Sequence, residues 1–279
     1  MKKMMIIISL VSVMSIYSQS GWEDYVSKAW GGKFEPFLEF NAGYGSVSQK
    51  KFNGNFADVG SLELKLGFTE LKKYKKYIQA LDERYLFGTY TSTDLIKSIS
   101  SEENSVKSEM WRFGMGNRLG YGYEIGNSSL ILYNQLQLAI TKPKFSDTAS
   151  LAQEDMYILT RLAGDYRMGT TFEGGVMFYI AKSISINGGL EGAVVFPRYL
   201  FMKWMGSFAL QTISLGLVSY FSEAIINSSP FLGPIMYFAL KNGIAAAWFF
   251  ALKEQMYWPV TSESPLTIAT FRIGASITF

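Results

Sequence analysis

The chain has 279 residues with no cysteine and no histidine, 26 Lys and Arg against 23 Asp and Glu, and 48% hydrophobic residues. Missing cysteines exclude a disulfide framework and thiolate chemistry, and missing histidines remove the commonest general base and transition-metal ligand, so no metal or cofactor is expected. The charge is nearly balanced, 24 against 23 once Lys2 and Lys3 are set aside, and such a balance gives no electrostatic case for nucleic acid.

Lys2 and Lys3, the apolar run Met4 to Met14 and the small polar run Ser15 to Ser20 follow the order of a secretory signal peptide, cleaved after Ser18 or Ser20. The apolar run is about half the roughly 20 residues of a transmembrane anchor, and no Cys follows it for lipid attachment. Residues 1–20 are therefore expected to be a leader and 21–279 a single domain. Gly21 to Lys33 is short, aromatic and glycine-rich, a segment for the periplasm or a barrel mouth.

Alternation then dominates. Strand one, Phe37 to Gly45, turns Leu38, Phe40, Ala42 and Tyr44 one way and Glu39 and Asn41 the other. Gln49 to Asp58, with Asn53-Gly54-Asn55, is a loop by its turn chemistry. Strand two, Gly60 to Thr69, alternates Leu62, Leu64, Leu66 and Phe68 with Ser61, Glu63, Lys65 and Thr69. Glu70 to Glu83 breaks the period: Leu71, Tyr74, Ile78 and Leu81 fall at helical spacing, predicting a connecting helix with Lys72, Lys73, Lys75 and Lys76 solvated or lying on anionic headgroups. Strand three lies around Arg84 to Ser92. Strand four, Glu109 to Tyr123, sets Trp111, Phe113, Met115, Leu119, Tyr121 and Tyr123 against Arg112 and Arg118, with Asn117 breaking its apolar face. Its glycines miss the GxGxxG spacing.

After the tight turn at Gly126-Asn127 comes strand five, Ser129 to Thr141, whose apolar face is broken by Asn134. Lys142 to Arg167 is a long polar connection. Strand six, Met168 to Ile180, carries Glu173 inward, and strand seven, Ile184 to about Val195, carries Asn187 and Glu191. The next roughly 70 residues are too many for an unstructured loop. Gly206 to Ile226 and Phe231 to Leu252 read as a helical hairpin within an insertion at about 199–256, with Ser229-Pro230 starting the second helix. Ala239, Gly243, Ala247 and Ala251 give that helix a small-residue stripe for close approach to another helix or to a barrel wall.

The last stretch decides the class. Phe271, Ile273, Ala275, Ile277 and Phe279 alternate with Thr270, Arg272, Gly274, Ser276 and Thr278, one face apolar and one polar, as lipid outside and a polar lumen inside require. This strand resembles the closing strand of bacterial outer-membrane β-barrels. The resemblance implies an insertion signal in Phe271, Ile273, Ile277 and Phe279, read by the barrel-insertion machinery, in the outer membrane of a Gram-negative-type bacterium. Known barrel enzymes of that membrane resemble one another in depending on a catalytic His, which this chain lacks.

The expected fold is thus an all-β, antiparallel, up-and-down membrane barrel of eight strands with a helical hairpin before the last. Tight turns follow strands four and six and long connections the odd strands, as both termini in the periplasm demand. With eight strands the hairpin caps or flanks the barrel. With ten or twelve, Arg198 to Phe208 supplying one of them, it enters the lumen, because an eight-stranded barrel is filled by its own side chains. The inward set Glu39, Glu63, Lys65, Arg112, Arg118, Glu173, Glu191 and Arg272 reads either as a mutually neutralising network or as a ligand site or conduction path. Glu173 and Glu191 on adjacent strands also have the form of a glycosidase pair, though nothing marks a sugar cleft. Two functions stand open. One is a non-enzymatic structural or partner-binding barrel, its partners being outer-membrane lipids and an envelope protein met through the hairpin or outer loops. The other is a channel or transporter for a small or amphiphilic solute, gated or plugged by the hairpin.

Overall fold

In the computed structural model, residues 34–96 and 105–279 are described; the expected leader and Gly21 to Lys33 lie outside them. Eight strands, β1 (Glu35–Gln49), β2 (Val59–Lys75), β3 (Ile78–Ser92), β4 (Lys107–Ile125), β5 (Ser128–Ser146), β6 (Arg167–Ala181), β7 (Ile184–Val195) and β8 (Leu266–Thr278), pair antiparallel in sequence order and close into a barrel. β8 completes it, with Phe271 opposite Leu190 of β7 and Tyr44 of β1. Helix α1 (Gln153–Leu162) sits in the connection after β5, and α2 (Phe201–Ser228) and α3 (Gly233–Glu254) lie between β7 and β8.

The alternation holds on the strands where it was read. Leu64, Leu66, Phe68, Phe271 and Ile273 are exposed on the outer wall, while Glu39, Glu63, Lys65 and Arg272 are buried inside. The expected helix over Glu70 to Glu83 is instead the end of β2, a two-residue turn and the start of β3. Leu71 pairs with Leu81 across that hairpin, and Tyr74 packs edge-on against Tyr121 of β4. The helical spacing arose because a hairpin folding back on itself places its apolar residues symmetrically about the turn. Lys76, at φ 46°, makes the reversal. The correction improves the parity: β2, β4 and β6 all end in two-residue turns, and every long connection lies at the other end of the barrel.

That longer end is built up. The connection after β5 is shortened by the extension of β5 to Ser146 and by α1, which inserts Leu159 and Leu162 among apolar residues at the barrel mouth. Arg198 to Phe208 is not a strand. α2 starts at Phe201, because Trp204 and Phe208 fall one turn apart and stack at 5.2 Å. α3 starts at Gly233 with Pro234 in its first turn, three residues later than Ser229-Pro230 suggested.

The hairpin flanks the barrel and does not enter it. From β7 the chain descends through α2 to the end where the two-residue turns lie and returns through α3 to the long-connection end. α3 crosses the outer faces of β4, β5, β6 and β7 in that order, and α2 packs mainly on α3. The tip is fastened at the turn end by Lys75 Nζ donating to the Asn227 carbonyl at 2.9 Å and by the Tyr123 hydroxyl donating to the Phe231 carbonyl at 2.6 Å.

Candidate functional site: a buried charged interior and its helical flank

All eight sequence-predicted interior residues converge in one network. Arg118 is its hub: Nη1 and Nη2 donate to Glu39 at 2.7 and 2.8 Å, Nη1 to Glu83 at 2.7 Å, and Nε to Gln135 at 3.2 Å. Lys65 bridges Glu39 at 2.9 Å and Glu63 at 3.3 Å. Arg272 lies 2.8 Å from Glu63, 2.6 Å from Glu191 and 3.8 Å from Glu173, and Arg112 meets Glu191 at 2.7 Å. Neutral donors complete the shell. Tyr133 donates to Glu173 at 2.6 Å, the Gln135 amide to Glu173 at 2.9 Å, and Thr89 to Glu63 at 2.8 Å.

Every member of the network is 3% exposed or less, so each charge depends on its partners; unpaired, it would carry a large desolvation cost. Glu173 and Glu191 are indeed register neighbours. Each is tied to interior cations or donors, with no opening for a sugar between them. The sequence reading missed Glu83, a fifth acid, because it lay in the stretch assigned to a helix. Once β3 is extended back to Ile78, alternation places Glu83 inward beside Tyr85 and Phe87, and register sets it opposite Arg118.

Apolar clusters pack the interior on both sides of the charged layer. Towards the long connections, Val47, Val59, Met110, Leu162, Ala193, Val195, Leu266 and Ile268 form one cluster. Towards the short turns, Leu81, Ile131, Tyr133, Met177 and Tyr179 form another.

The flank carries a second, sparser polar arrangement. Asn134, which broke the outward alternation of β5, accounts for itself: its amide donates to Asn242 of α3 at 2.9 Å, and Asn242 donates to the Tyr133 carbonyl at 3.2 Å. Asn117 lines a crevice of about 210 Å³ between the wall and the hairpin, with Leu119, Leu136, Thr212, Gly216 and Lys241. Lys241 is buried and donates to the Leu215 carbonyl at 2.8 Å and to the Ser219 hydroxyl of α2. Trp248 donates to Ser214 at 2.7 Å, adding a second polar link between the helices. The closely approached glycines at this contact belong to the barrel. A side chain at Gly174 would meet the Asn242 amide carbon at 2.6 Å, and one at Gly192 the Phe249 ring at 2.7 Å. The stripe on α3 faces away, with Ala239, Gly243 and Ala247 exposed. The expectation that the stripe makes the close approach is thus corrected.

At the long-connection end, Glu263 accepts from Arg161 at 2.6 Å and pairs with Arg198 at 2.7 Å, tying α1 to the segment before β8. Tyr257 donates to the Arg198 carbonyl at 2.7 Å. Burial pushes the Tyr257 hydroxyl above its ordinary pKa, against the opposing bond from the Leu200 amide.

No protein-family model matches the chain, and no curated protein does. Among solved structures it is similar to Neisserial surface protein A, at 8% identity and a TM-score of 0.37, over 88% of this chain and 97% of that one. It is also similar to Ail, the attachment invasion locus protein of Yersinia pestis, at 10% identity and a TM-score of 0.35, over 88% and 99%. Ail in complex with the heparin analogue sucrose octasulfate matches at 10% identity and 0.34 over the same shares.

Proposed function

We propose that this chain is a sealed outer-membrane β-barrel with a non-enzymatic structural or partner-binding role, carrying a membrane-crossing helical hairpin on its flank. The membrane placement is supported by the outer wall, where Phe40, Leu66, Leu86, Met115, Leu190 and Ile273 are each more than half exposed; a barrel surface of that kind suits hydrocarbon rather than water. Two flanking helices long and apolar enough to cross a membrane support the same placement. The 22 residues of α3 rise about 33 Å, close to the roughly 30 Å of a hydrocarbon core. In this reading residues 1–20 deliver the chain across the inner membrane, and Phe279 is read by the insertion machinery.

The observation that carries the functional half is the charged layer held between two apolar clusters. It favours a scaffold over a channel, and with the hairpin outside, the lumen has nothing for it to gate. The accessible surfaces are then the flank and the long connections, where an envelope partner would dock. Two measurements test the proposal. Separated membranes analysed by electrophoresis before and after boiling should show a heat-shifted band in the outer-membrane fraction. The purified chain in planar bilayers should show no stepwise conductance at moderate voltage. Regular conductance steps would restore the transporter reading, and an unshifted inner-membrane band would end the barrel placement.

A further inference from the structure

We propose that the β2–β3 turn, with the hairpin tip beside it, is a binding site for the headgroup of an anionic phospholipid in the membrane leaflet at the turn end of the barrel. This rests on the membrane placement above. Lys72, Lys73, Lys75 and Lys76 fall within five residues of one two-residue turn. The β4–β5 turn has no lysine and the β6–β7 turn only Lys182. Among the described residues, positive charge at this rim is therefore concentrated on one side, the side where the hairpin is fastened.

Lys72, Lys73 and Lys76 are exposed. Two of them have carboxylate neighbours, Glu70 at 3.1 Å from Lys72 and Glu124 at 3.3 Å from Lys73. Exposed pairs of that kind hold their cations weakly, and four lysines against two carboxylates leave the turn cationic. Lys75 is committed to the Asn227 carbonyl. Aromatic rings stand beside the charges: Tyr77 stacks on Tyr123 at 6.4 Å, Tyr123 lies 6.3 Å from Phe231, and Tyr121 meets Tyr237 edge-on at 4.8 Å. Rings at this level are interfacial anchors, with hydrocarbon on one side and headgroups on the other. The lysines thus lie at phosphate depth, and the exposed rings of Tyr77 and Phe231, linked through Tyr123, stand beside them, where the first acyl carbons would pack. A phospholipid standing there satisfies both halves of the site, and the net positive charge selects an anionic headgroup.

The test uses the mature chain in phosphatidylcholine vesicles, with trace spin-labelled phosphatidylglycerol or spin-labelled phosphatidylcholine reporting lipids held at the protein surface. Selectivity for the anionic label should fall about fivefold for each lysine lost in Lys72→Gln, Lys73→Gln and Lys76→Gln, singly and combined. Lys75 is left in place because it holds the hairpin. Lys182→Gln, on the other turn, should change little. Equal selectivity in the triple variant and the parent, or none in the parent, overturns the site. Displacement of the label by inorganic phosphate at matched ionic strength would assign the turn to a soluble anion and also overturn it. The heat-shifted band on the same vesicles separates the two levels: no shift means that the barrel placement itself has failed, whereas a shift without selectivity removes the lipid site alone.

Discussion

The interior and the flank solve the same problem in opposite ways. Inside, nine ionisable groups, the eight predicted from sequence and Glu83, five acids and four bases, pair with one another in a layer buried from outside solvent. On the flank, polar contacts are few and mostly neutral, Asn134 to Asn242 and Trp248 to Ser214, spaced along a contact otherwise made of rings, aliphatic chains and glycines. The interior is fixed by the strands that carry it, so its charges cannot separate. The hairpin is joined covalently to the barrel only through its two ends, so there polar bonds act as registration points, specifying where α3 lies on the wall. Removing one partner should accordingly cost most inside and least on the flank.

The largest effect is expected at the hub. Arg118→Met leaves Glu39 and Glu83 buried without their principal cation and should destabilise the barrel by about 3–5 kcal/mol, read from urea unfolding in detergent micelles or vesicles. Combining it with Glu39→Gln and Glu83→Gln should recover most of that loss. If the triple variant is no more stable than the single, the network is not what holds the layer.

Glu83→Gln alone sharpens the point. Five interior acids face four bases, so removing the negative charge of Glu83 balances the layer, while Glu39 still accepts both Nη groups of Arg118. The expected cost is no more than about 1 kcal/mol, that of an ordinary hydrogen bond. A loss as large as that of Arg118→Met would mean that Glu83 is as indispensable as the cation itself.

How much of this was legible follows from the same difference. A strand facing two media repeats every two residues, and eight such strands give the class, the facing and the inner charges almost without ambiguity; Glu39, Lys65 and Arg272 needed only parity. Glu83 was hidden where β2 folds back on β3, because two inward leucines mirrored about a turn imitate a helical period. The hairpin was legible as two helices, but not its position. Helix periodicity reports that a helix exists without saying what covers it, and the small-residue stripe on α3 pointed to the wrong face. The signal that could have placed it lay in the barrel: Asn117 and Asn134 interrupt apolar faces, and Gly174 and Gly192 leave outward positions without side chains. Such breaks mark where protein replaces lipid.

Those breaks can be tested at the contact itself. Gly174→Leu pushes a side chain into Asn242 and should displace α3 while leaving the barrel closed, at a cost of about 1–3 kcal/mol. The chain has no cysteine, so cysteines placed at Leu119 and Thr212, on opposite sides of the crevice, would report the hairpin's position by cross-linking. Cross-linking should fall sharply in the Gly174→Leu background while the heat-shifted band persists. Undiminished cross-linking would show that the wall tolerates a side chain there and that the glycine has no role in seating the helix.

The smallest effect is expected where a single neutral bond registers the helix. A double-mutant cycle of Asn134→Leu and Asn242→Leu should give a coupling of about 0.6 kcal/mol, the usual size for a hydrogen bond between segments in a membrane. Asn242 retains its bond to the Tyr133 carbonyl when Asn134 is removed, so Asn134→Leu should be the milder single change. The leucine also restores the alternation of β5 and suits hydrocarbon, which would offset part of the lost bond if the hairpin moves away. A coupling near zero together with unchanged cross-linking would mean that ring packing at Tyr237 and Phe249 alone fixes the register. A coupling of several kcal/mol would instead make this seam as demanding as the interior, and the contrast between the two regions would fail at its weakest predicted point.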